Sequence, residues 1–364
     1  MQRGGVLSFF AFSVLVGFSF LVACSNAGGD AGSRTGPPCG ALTVQDTNLQ
    51  QCAGCSPASP CTSAAPLDAC CSWVAAPNDP LIDGTGLHRY SAPPDALPSL
   101  SCLTSVVPLE TPQRVTLTGY VWLYSSGQDS AGVQVDVFEE NDPNTDGTIA
   151  SPALGTYTTT TTDPIDPTDT SWNSHCANGC SYRQYTIQNV PTETPLVIKT
   201  SDAGSTQFAT LYEYNVYLAS SDVQNGTVTY DAEAIAGSDL TALAGMAGQT
   251  FLPNMGALVG EVHDCNDVRL GGATVGSDAP GGPPTYYFTS DESDPLLSVE
   301  QTDTTVLGRY GLINVQPGAP VRVSAVAVDP DQAGQYLMLG TYTVQITPGA
   351  VTALVLRGRR PWQP

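Results

Sequence analysis

An acidic loop is the clearest candidate for chemistry in this sequence of 364 residues. Asp142, Asn144 and Asp146 alternate along a short stretch that ends at Gly147. This spacing places three oxygen ligands on one side of a turn, and glycine permits the sharp bend that calcium loops use. Asp, Asn, Pro and Gly also favour ordinary solvated turns, which is the alternative interpretation. The sequence therefore gives one candidate calcium site and predicts no other cofactor.

The stretch from Asp142 to Gly147 also resembles the first half of an EF-hand loop. Ala153 stands where the closing bidentate glutamate of such a loop would lie. The resemblance therefore implies weak affinity, unless Glu139 or Glu140 completes the ligand shell.

A row of aromatic residues is a second candidate. Tyr120, Trp122 and Tyr124 share one face of a predicted strand, opposite Val121 and Leu123. Alternate residues lie about 6 to 7 Å apart along a strand, so an exposed row could hold sugar rings or a peptide. Packing beneath a neighbouring domain or insertion is the alternative, and we favour it.

Motifs of known catalytic centres are absent. The chain has no Gly-x-Ser-x-Gly elbow, no His-Glu-x-x-His pair and no Walker loop. His88, His175 and His263 stand far apart in the sequence. A formal charge of -22, from 34 acidic and 12 basic residues, argues against a nucleic-acid binder. We therefore predict a protein that is not an enzyme.

The N-terminus has the features of an exported protein. One arginine precedes an apolar stretch over residues 6–22, which is typical of a signal peptide. Leu21-Val22-Ala23-Cys24 resembles the lipobox of bacterial lipoproteins, which implies acylation of Cys24 after removal of residues 1–23. Ser25 rather than Asp then implies the outer membrane, facing the periplasm or the cell surface. An ordinary cleaved signal and an uncleaved anchor are the alternatives.

Cysteine parity supports the same interpretation. The chain has 11 cysteines, and setting Cys24 aside leaves ten that can pair. Cys176 and Cys180 are close enough in sequence to pair locally. The remaining cysteines are the seven at positions 39–102 and the single Cys265, and each of these two numbers is odd. We therefore predict that Cys265 is joined to the N-terminal segment. Cys52 and Cys55 form a Cys-x-x-Cys pair, but no βαβ pattern surrounds them, so we favour structural disulfides over redox or zinc chemistry.

Alternating apolar residues predict an all-β fold after residue 112. Strands are predicted over 115–123, 132–138, 155–162, 184–190, 195–200, 208–218 and 227–232, and a further series begins at 256. The one predicted helix covers 238–247, with Ser238 as N-cap and Gly248 as stop signal.

An internal repeat relates the two strand series. Tyr185 and Tyr310 are each followed by an aliphatic residue at +2, asparagine at +4, valine at +5 and proline at +10. A Gly-x-Val strand precedes each set, starting at Gly119 and at Gly260. Two copies of one structural unit are therefore expected.

These motifs resemble the carboxypeptidase regulatory-like, transthyretin-like family of β-sandwiches. The resemblance implies two transthyretin-like or Ig-like β-sandwich domains preceded by a small disulfide-stapled segment. The expected boundaries are a signal peptide (1–23), a flexible tether (24–38), a Cys-rich segment (39–110), a first sandwich (111–235), a helical connector (236–254), a second sandwich (255–357) and a tail (358–364).

Members of that family usually serve as accessory, spacer or binding modules. The sequence therefore predicts a non-catalytic, lipid-anchored cell-envelope protein that acts as a scaffold or binding module, held to the membrane by its lipid and with an envelope protein or glycan as partner. Two alternatives stay open: an exported hydrolase with its site in the loop insertions, and a carbohydrate- or peptide-binding subunit of an envelope assembly.

Overall fold

The computed structural model describes residues 88–89, 99–103, 108–124, 129–144, 146–165, 181–204, 207–289, 297–298, 301–328, 336–358 and 360–362. The predictions for Cys24, the signal peptide, the tether, most of the Cys-rich segment and the Cys176–Cys180 pair lie outside these residues. None of the helices in the described part of the chain has the length and apolar character needed to span a bilayer.

The regular structure of the described chain consists mostly of β-strands, with one α-helix, which confirms the predicted fold class. The strands of the first half are β1 (His88–Arg89), β2 (Arg114–Tyr124), β3 (Val133–Glu139), β4 (Gly155–Thr158), β5 (Arg183–Pro191), β6 (Leu196–Asp202), β7 (Phe208–Ala209), β8 (Leu211–Val216), β9 (Thr227–Thr229) and β10 (Ala232–Ala236). Those of the second half are β11 (Gly256–Val262), β12 (Leu270–Gly271), β13 (Thr274–Ser277), β14 (Tyr286–Phe288), β15 (Leu297–Ser298), β16 (Arg309–Val315), β17 (Pro320–Val328), β18 (Tyr336–Gln345) and β19 (Val351–Leu356). Helix α1 covers Gly237–Met246, and 3-10 turns cover Ser101–Leu103 and Ser220–Asp222.

The first sandwich forms because its strands alternate apolar and polar residues. Along β2, every second residue from Val115 to Leu123 is buried, as a strand with one face on a core requires. The sheet β5-β2-β10-β7, with β9 also paired to β2, lies over strands β3 and β6. Leu117 and Val121 from one sheet and Val135 and Ile198 from the other share this core.

The second sandwich also consists of two packed sheets, one of which has three strands. The sheet β13-β17-β18 packs on strands β11, β16 and β19 through a core that includes Val323, Tyr342, Leu258 and Leu312. Burying large apolar side chains of this kind contributes about 1.5–3 kcal/mol each.

A single sheet runs through both sandwiches, in the order β15-β14-β16-β11-β19-β8-β6-β3-β4. The junction is a parallel pairing of β19 with β8, in which Val351 lies opposite Leu211. Ala257 of β11 lies opposite Val351 in turn, and these residues form a core with Leu240 and Leu243 of α1. The connector helix therefore covers one face of the sheet at the point where the two sandwiches join.

The repeat places a glycine beside a buried tyrosine in each sandwich. Gly119 pairs with Tyr185 across β2 and β5, and Gly260 pairs with Tyr310 across β11 and β16. The Tyr185 hydroxyl donates to the carbonyl of Tyr230 at 2.7 Å, and that of Tyr310 to the carbonyl of Leu354 at 3.0 Å. A Cβ on either glycine would overlap that same carbonyl oxygen, so glycine is required for the tyrosine to reach it.

The repeated asparagines also have matching backbone conformations. Asn189 and Asn314 have φ angles of 66° and 59°, in the left-handed region that asparagine tolerates better than most residues. The left-handed residue near the end of β5 is therefore repeated near the end of β16.

Helix α1 is close to its predicted position but begins differently. Its N-cap is Ala236, which makes no side-chain capping bond, whereas Ser238 lies in the first turn and its hydroxyl donates to Asp239 at 3.3 Å. At the other end Gly248 has a φ of 67°, as a glycine that ends a helix requires. The predicted stop is present, and the predicted N-cap was wrong: the N-cap lies two residues earlier, at Ala236, which is buried together with Ile235.

Candidate functional site

The loop between β11 and β12 joins the second sandwich to the Cys-rich segment. Cys265 in this loop forms a disulfide with Cys102, which confirms the predicted link between Cys265 and the N-terminal segment. Ser99 donates its N–H to the Asp264 carboxylate at 2.9 Å and accepts from the Cys265 N–H at 2.9 Å. Strand β1 pairs antiparallel with β12. The segment is therefore held by a covalent bond, backbone hydrogen bonds and an added strand.

A group of charged side chains lies beneath that loop. Glu261 of β11 accepts hydrogen bonds from Arg309 Nε at 2.9 Å and from Arg269 Nε at 2.8 Å, and lies 2.8 Å from His263 Nε2. Burial alone would raise the pKa of the Glu261 carboxyl, but the His263 hydrogen bond and the two guanidinium charges hold it well below its usual range. Glu261 is therefore a carboxylate around which three side chains are fixed.

His263 bridges two carboxylates. Its Nδ1 lies 2.9 Å from Asp267 Oδ1, and Asp267 is also paired with Arg357 of the segment that follows β19. Burial opposes protonation of the imidazole, but the hydrogen bonds to Asp267 and Glu261 raise the pKa of His263. Because both ring nitrogens already face carboxylates, neither is available to activate a nucleophile. This charged cluster fixes the loop that carries Cys265.

A second carboxyl lies on the same face of the long sheet, because β8 and β11 flank β19 in register. Glu213 is 7% exposed and accepts a hydrogen bond from the Tyr230 hydroxyl. Burial, followed by the negative charge of Glu233, raises the pKa of Glu213 to about 8. Burial among other carboxyls therefore favours the neutral form of Glu213.

The predicted aromatic row is partly covered. Trp122 stacks on Tyr182 with ring centroids 5.7 Å apart, and Tyr124 meets Phe288 of the second sandwich edge-on at 6.5 Å. Tyr120 packs half-buried against the first core. These contacts favour the packing interpretation, and ligand binding by the row stays a prediction.

The acidic loop lies against the second sandwich. Asp142 Oδ1 accepts the N–H of Asn144 at 2.9 Å, and Asp146 Oδ1 accepts the N–H of Thr148 at 2.8 Å. The Asn144 side-chain amide donates to the carbonyl of Trp362 at 3.2 Å. Within the described residues, no group of three or more Asp, Glu, His or Cys side chains is placed to hold a metal ion. Calcium binding by Asp142, Asn144 and Asp146 therefore stays a prediction from the sequence.

The segment after β19 is also held by packing. Arg360 is 8% exposed, and its Nε donates to Asn215 Oδ1 at 2.8 Å. Its guanidinium lies over the ring of Tyr217, 5.3 Å from the centroid, and Trp362 meets the same ring edge-on at 5.3 Å. The predicted tail thus contacts β8 and the acidic loop.

The charged cluster and Glu213 are the features that the sequence did not predict. Their residues come from separate strands and loops, and each is ordinary in its local context. The only sequence signal is the set of arginines at 269, 309, 357, 359 and 360, which is dense for a chain with 12 basic residues.

No family model matches the chain, and no curated protein sequence matches it. Membership of the carboxypeptidase regulatory-like family therefore stays a prediction.

Solved structures of pilins are similar to parts of the chain. The shaft pilin SpaA of Lactobacillus rhamnosus GG is 10% identical with a TM-score of 0.20, over 68% of this chain and 100% of that one. The full-length major pilin SpaD of Corynebacterium diphtheriae is 9% identical with a TM-score of 0.21, over 64% of this chain and 65% of that one. A major pilin of Streptococcus pyogenes is 10% identical with a TM-score of 0.16, over 67% of this chain and 99% of that one. Scores this low carry no inference about what the chain does.

Proposed function

We propose that the protein is a non-catalytic scaffold of the bacterial cell envelope, anchored through a lipid on Cys24. The observation that carries this proposal is the attachment of the Cys-rich segment to the second sandwich by the Cys102–Cys265 disulfide. A segment that follows a lipid-bearing cysteine and is then bonded to a rigid β-fold connects a membrane to a protein surface.

The chemistry of the link supports an exported location. Disulfides form and persist in oxidising compartments and are rare in the cytosol. The lipobox-like Leu21-Val22-Ala23-Cys24 precedes the segment that the disulfide attaches. A diacyl or triacyl cysteine provides the two or more chains that stable anchoring needs.

A structural role also fits the arrangement of the polar groups. The ring nitrogens of His263 are both engaged by carboxylates, and the half-buried carboxylate of Glu261 is held by arginines. These interactions fix loops in place, and none of them presents a base beside a nucleophile. The partner proposed from this arrangement is an envelope protein or glycan that contacts the sandwich surfaces.

Lipid attachment can be tested by expressing the full chain in a Gram-negative host and separating membranes after a high-salt wash. We expect mass spectrometry to identify an N-terminal peptide that begins at acylated Cys24. The Cys24→Ser variant should lose the lipid, while the matched Ser25→Ala variant should retain it. A mature N-terminus at another residue, or a Cys24 without acyl chains, would contradict the proposal.

A further inference from the structure

His263 is the first residue after β11, where the chain leaves the sheet for the loop that carries Cys265. Its imidazole is 12% exposed and contacts a carboxylate on each side. Nε2 lies 2.8 Å from Oε2 of Glu261 in the strand, and Nδ1 lies 2.9 Å from Oδ1 of Asp267 in the loop. The ring therefore joins the strand to the Cys265 loop.

These two contacts require a doubly protonated ring. A neutral imidazole carries one N–H and one bare nitrogen, whereas the imidazolium has two donors. A bare nitrogen 2.8–2.9 Å from a carboxylate oxygen would face it lone pair to lone pair, so it could not hold that position. Arginines oppose protonation of the carboxyls instead. Arg269 and Arg309 donate to Glu261, and Arg357 is paired with Asp267. The geometry therefore indicates an imidazolium when the loop lies on the strand.

Charged groups surround the ring on each element packed against it. They are Glu261 on β11, Arg309 on β16, Asp267 and Arg269 in the loop, Arg357 after β19 and Glu233 on β10. Burial by itself would lower the pKa of His263, but the hydrogen bonds to Asp267 and Glu261, together with their charges, raise it above its usual value. The charges thus favour the same protonation state as the geometry.

The loop also carries contacts of the N-terminal segment. Cys265 is bonded to Cys102, and its N–H donates to the carbonyl of Ser99 at 2.9 Å. The Ser99 N–H donates to Asp264 at 2.9 Å. Asp267 has a φ of 63°, a conformation that residues other than glycine adopt at a cost, so the loop keeps this shape only while its contacts hold it. A change in the loop is therefore passed to the segment.

We propose that His263 is a proton-dependent clasp: its imidazolium holds the Cys265 loop on β11, and loss of one ring proton loosens the loop and its hydrogen bonds to the N-terminal segment. The disulfide keeps the segment attached in both states. The clasp is a regulatory feature beyond the proposed scaffold role, and it does not depend on lipid attachment.

The direction follows from proton linkage. His263 titrates near its usual value of 6.5 when the loop is open, and the pKa is higher when the loop is closed. The closed form binds more protons in this window, so raising the pH through it favours opening. The ratio of closed to open loop is constant just below the window, falls by up to about tenfold per pH unit within it, and levels off above it. The pKa values of Glu261 and Asp267 lie below their usual 4.5 and 3.8, so the stabilisation that they provide is lost only when the pH falls below these values.

Native-state hydrogen exchange of the full chain measures this ratio at the Cys265 N–H. We expect its protection factor, corrected for intrinsic exchange, to be constant between about pH 5 and about pH 6.5 and to fall at higher pH. The amides that pair β11 with β19 report wider unfolding and should show no such fall. His263→Gln has no titrating ring, so Cys265 protection should be low at every pH, whereas the matched His175→Gln variant should keep the wild-type profile. Constant wild-type protection above about pH 6.5, or an equal fall in His263→Gln, would overturn the proposal.

Two further measurements separate the clasp from a general loosening of the fold. Ring-nitrogen NMR should show that His263 is mostly imidazolium at about pH 6.5, where an unperturbed histidine is half protonated. Asp267→Asn keeps a residue that tolerates the left-handed conformation but removes a charge that raises the pKa of His263. The fall in Cys265 protection should therefore be smaller and end at lower pH in this variant. A largely neutral ring, or an unchanged profile in Asp267→Asn, would show that His263 is not the clasp.

Discussion

Removal of the Cys102–Cys265 disulfide should strongly destabilise the second sandwich. The bond closes a loop with a sequence separation of 163 residues. The chain-entropy relation for such a loop gives about 5 kcal/mol at 25 °C, at the top of the measured range. We therefore expect the double variant Cys102→Ser/Cys265→Ser to lose about 3–5 kcal/mol of unfolding free energy. Replacing both cysteines avoids an odd thiol that could pair with the other cysteines of the segment.

The assay is equilibrium unfolding of the purified protein in urea, with the slope m compared between variants. The matched control is Cys176→Ser/Cys180→Ser, the pair predicted from the sequence, because a disulfide between these two positions would close a very short loop. The same relation gives about 2 kcal/mol for such a loop. A loss no larger than that of the control would refute the reasoning, since it would mean that the long link does not restrict the unfolded chain.

Three further predictions concern single positions. Gly260→Ala should lower the unfolding free energy by about 1–3 kcal/mol or more, because its Cβ would overlap the carbonyl of Leu354. Gly245→Ala, which has open space around it in helix α1, should raise the unfolding free energy by about 0.5–1 kcal/mol. Thermal denaturation compares the two variants, and equal effects would contradict the packing argument. Tyr310→Phe should cost about 1–3 kcal/mol because it leaves the buried carbonyl of Leu354 without this donor, and an unchanged urea midpoint would show that the bond contributes nothing. If the acidic loop binds calcium, calorimetric titration should give heat that Asp142→Asn abolishes, and absence of heat at millimolar calcium would remove that prediction.

The β-framework could be predicted from the sequence because its signals are local. Alternation in β2 sets which side chains are buried, and the repeated Tyr-x-aliphatic-x-Asn-Val pattern is present twice as a buried tyrosine and a left-handed asparagine. The same pattern explains why Gly119 and Gly260 occupy matching places. The alternation of buried and exposed residues along a strand and the left-handed conformation of an asparagine both depend on neighbouring residues. They can therefore be predicted from a single sequence.

The junction of the sandwiches could not be predicted in the same way. Strand β19 pairs with β8 across 140 residues of sequence, as Val351 opposite Leu211 shows, and no local pattern specifies a partner so far away. The predicted N-cap of α1 was wrong for a related reason, since burial in the tertiary structure outweighed the preference of Ser238 for the N-cap position. The Cys265 link was predicted from parity alone, and its partner within the segment required the structure.

The charged cluster is also a product of tertiary contacts. Glu261, Arg269 and Arg309 lie on different elements, and their types are ordinary for strand ends and loops. Glu140 gave a sequence signal only as a neighbour of the acidic loop, and its carboxyl accepts a hydrogen bond from Tyr342 of β18, about 200 residues away. Residues whose environment is set by distant strands give no sign of their pKa in the sequence.

The Cys102–Cys265 bond also determines how the chain would respond to being stretched. A pull applied before Cys102 and after β19 would pass through the disulfide into Cys265, so the residues between the two cysteines would not extend. At about 3.5 Å per residue in an extended chain, the sequence separation of 163 residues corresponds to roughly 570 Å of chain that the disulfide prevents from extending. The second sandwich would bear the tension, while the first would receive force only through its contacts with the second, such as the pairing of β8 with β19. Cleavage of the Cys102–Cys265 disulfide would allow that length of chain to extend under load.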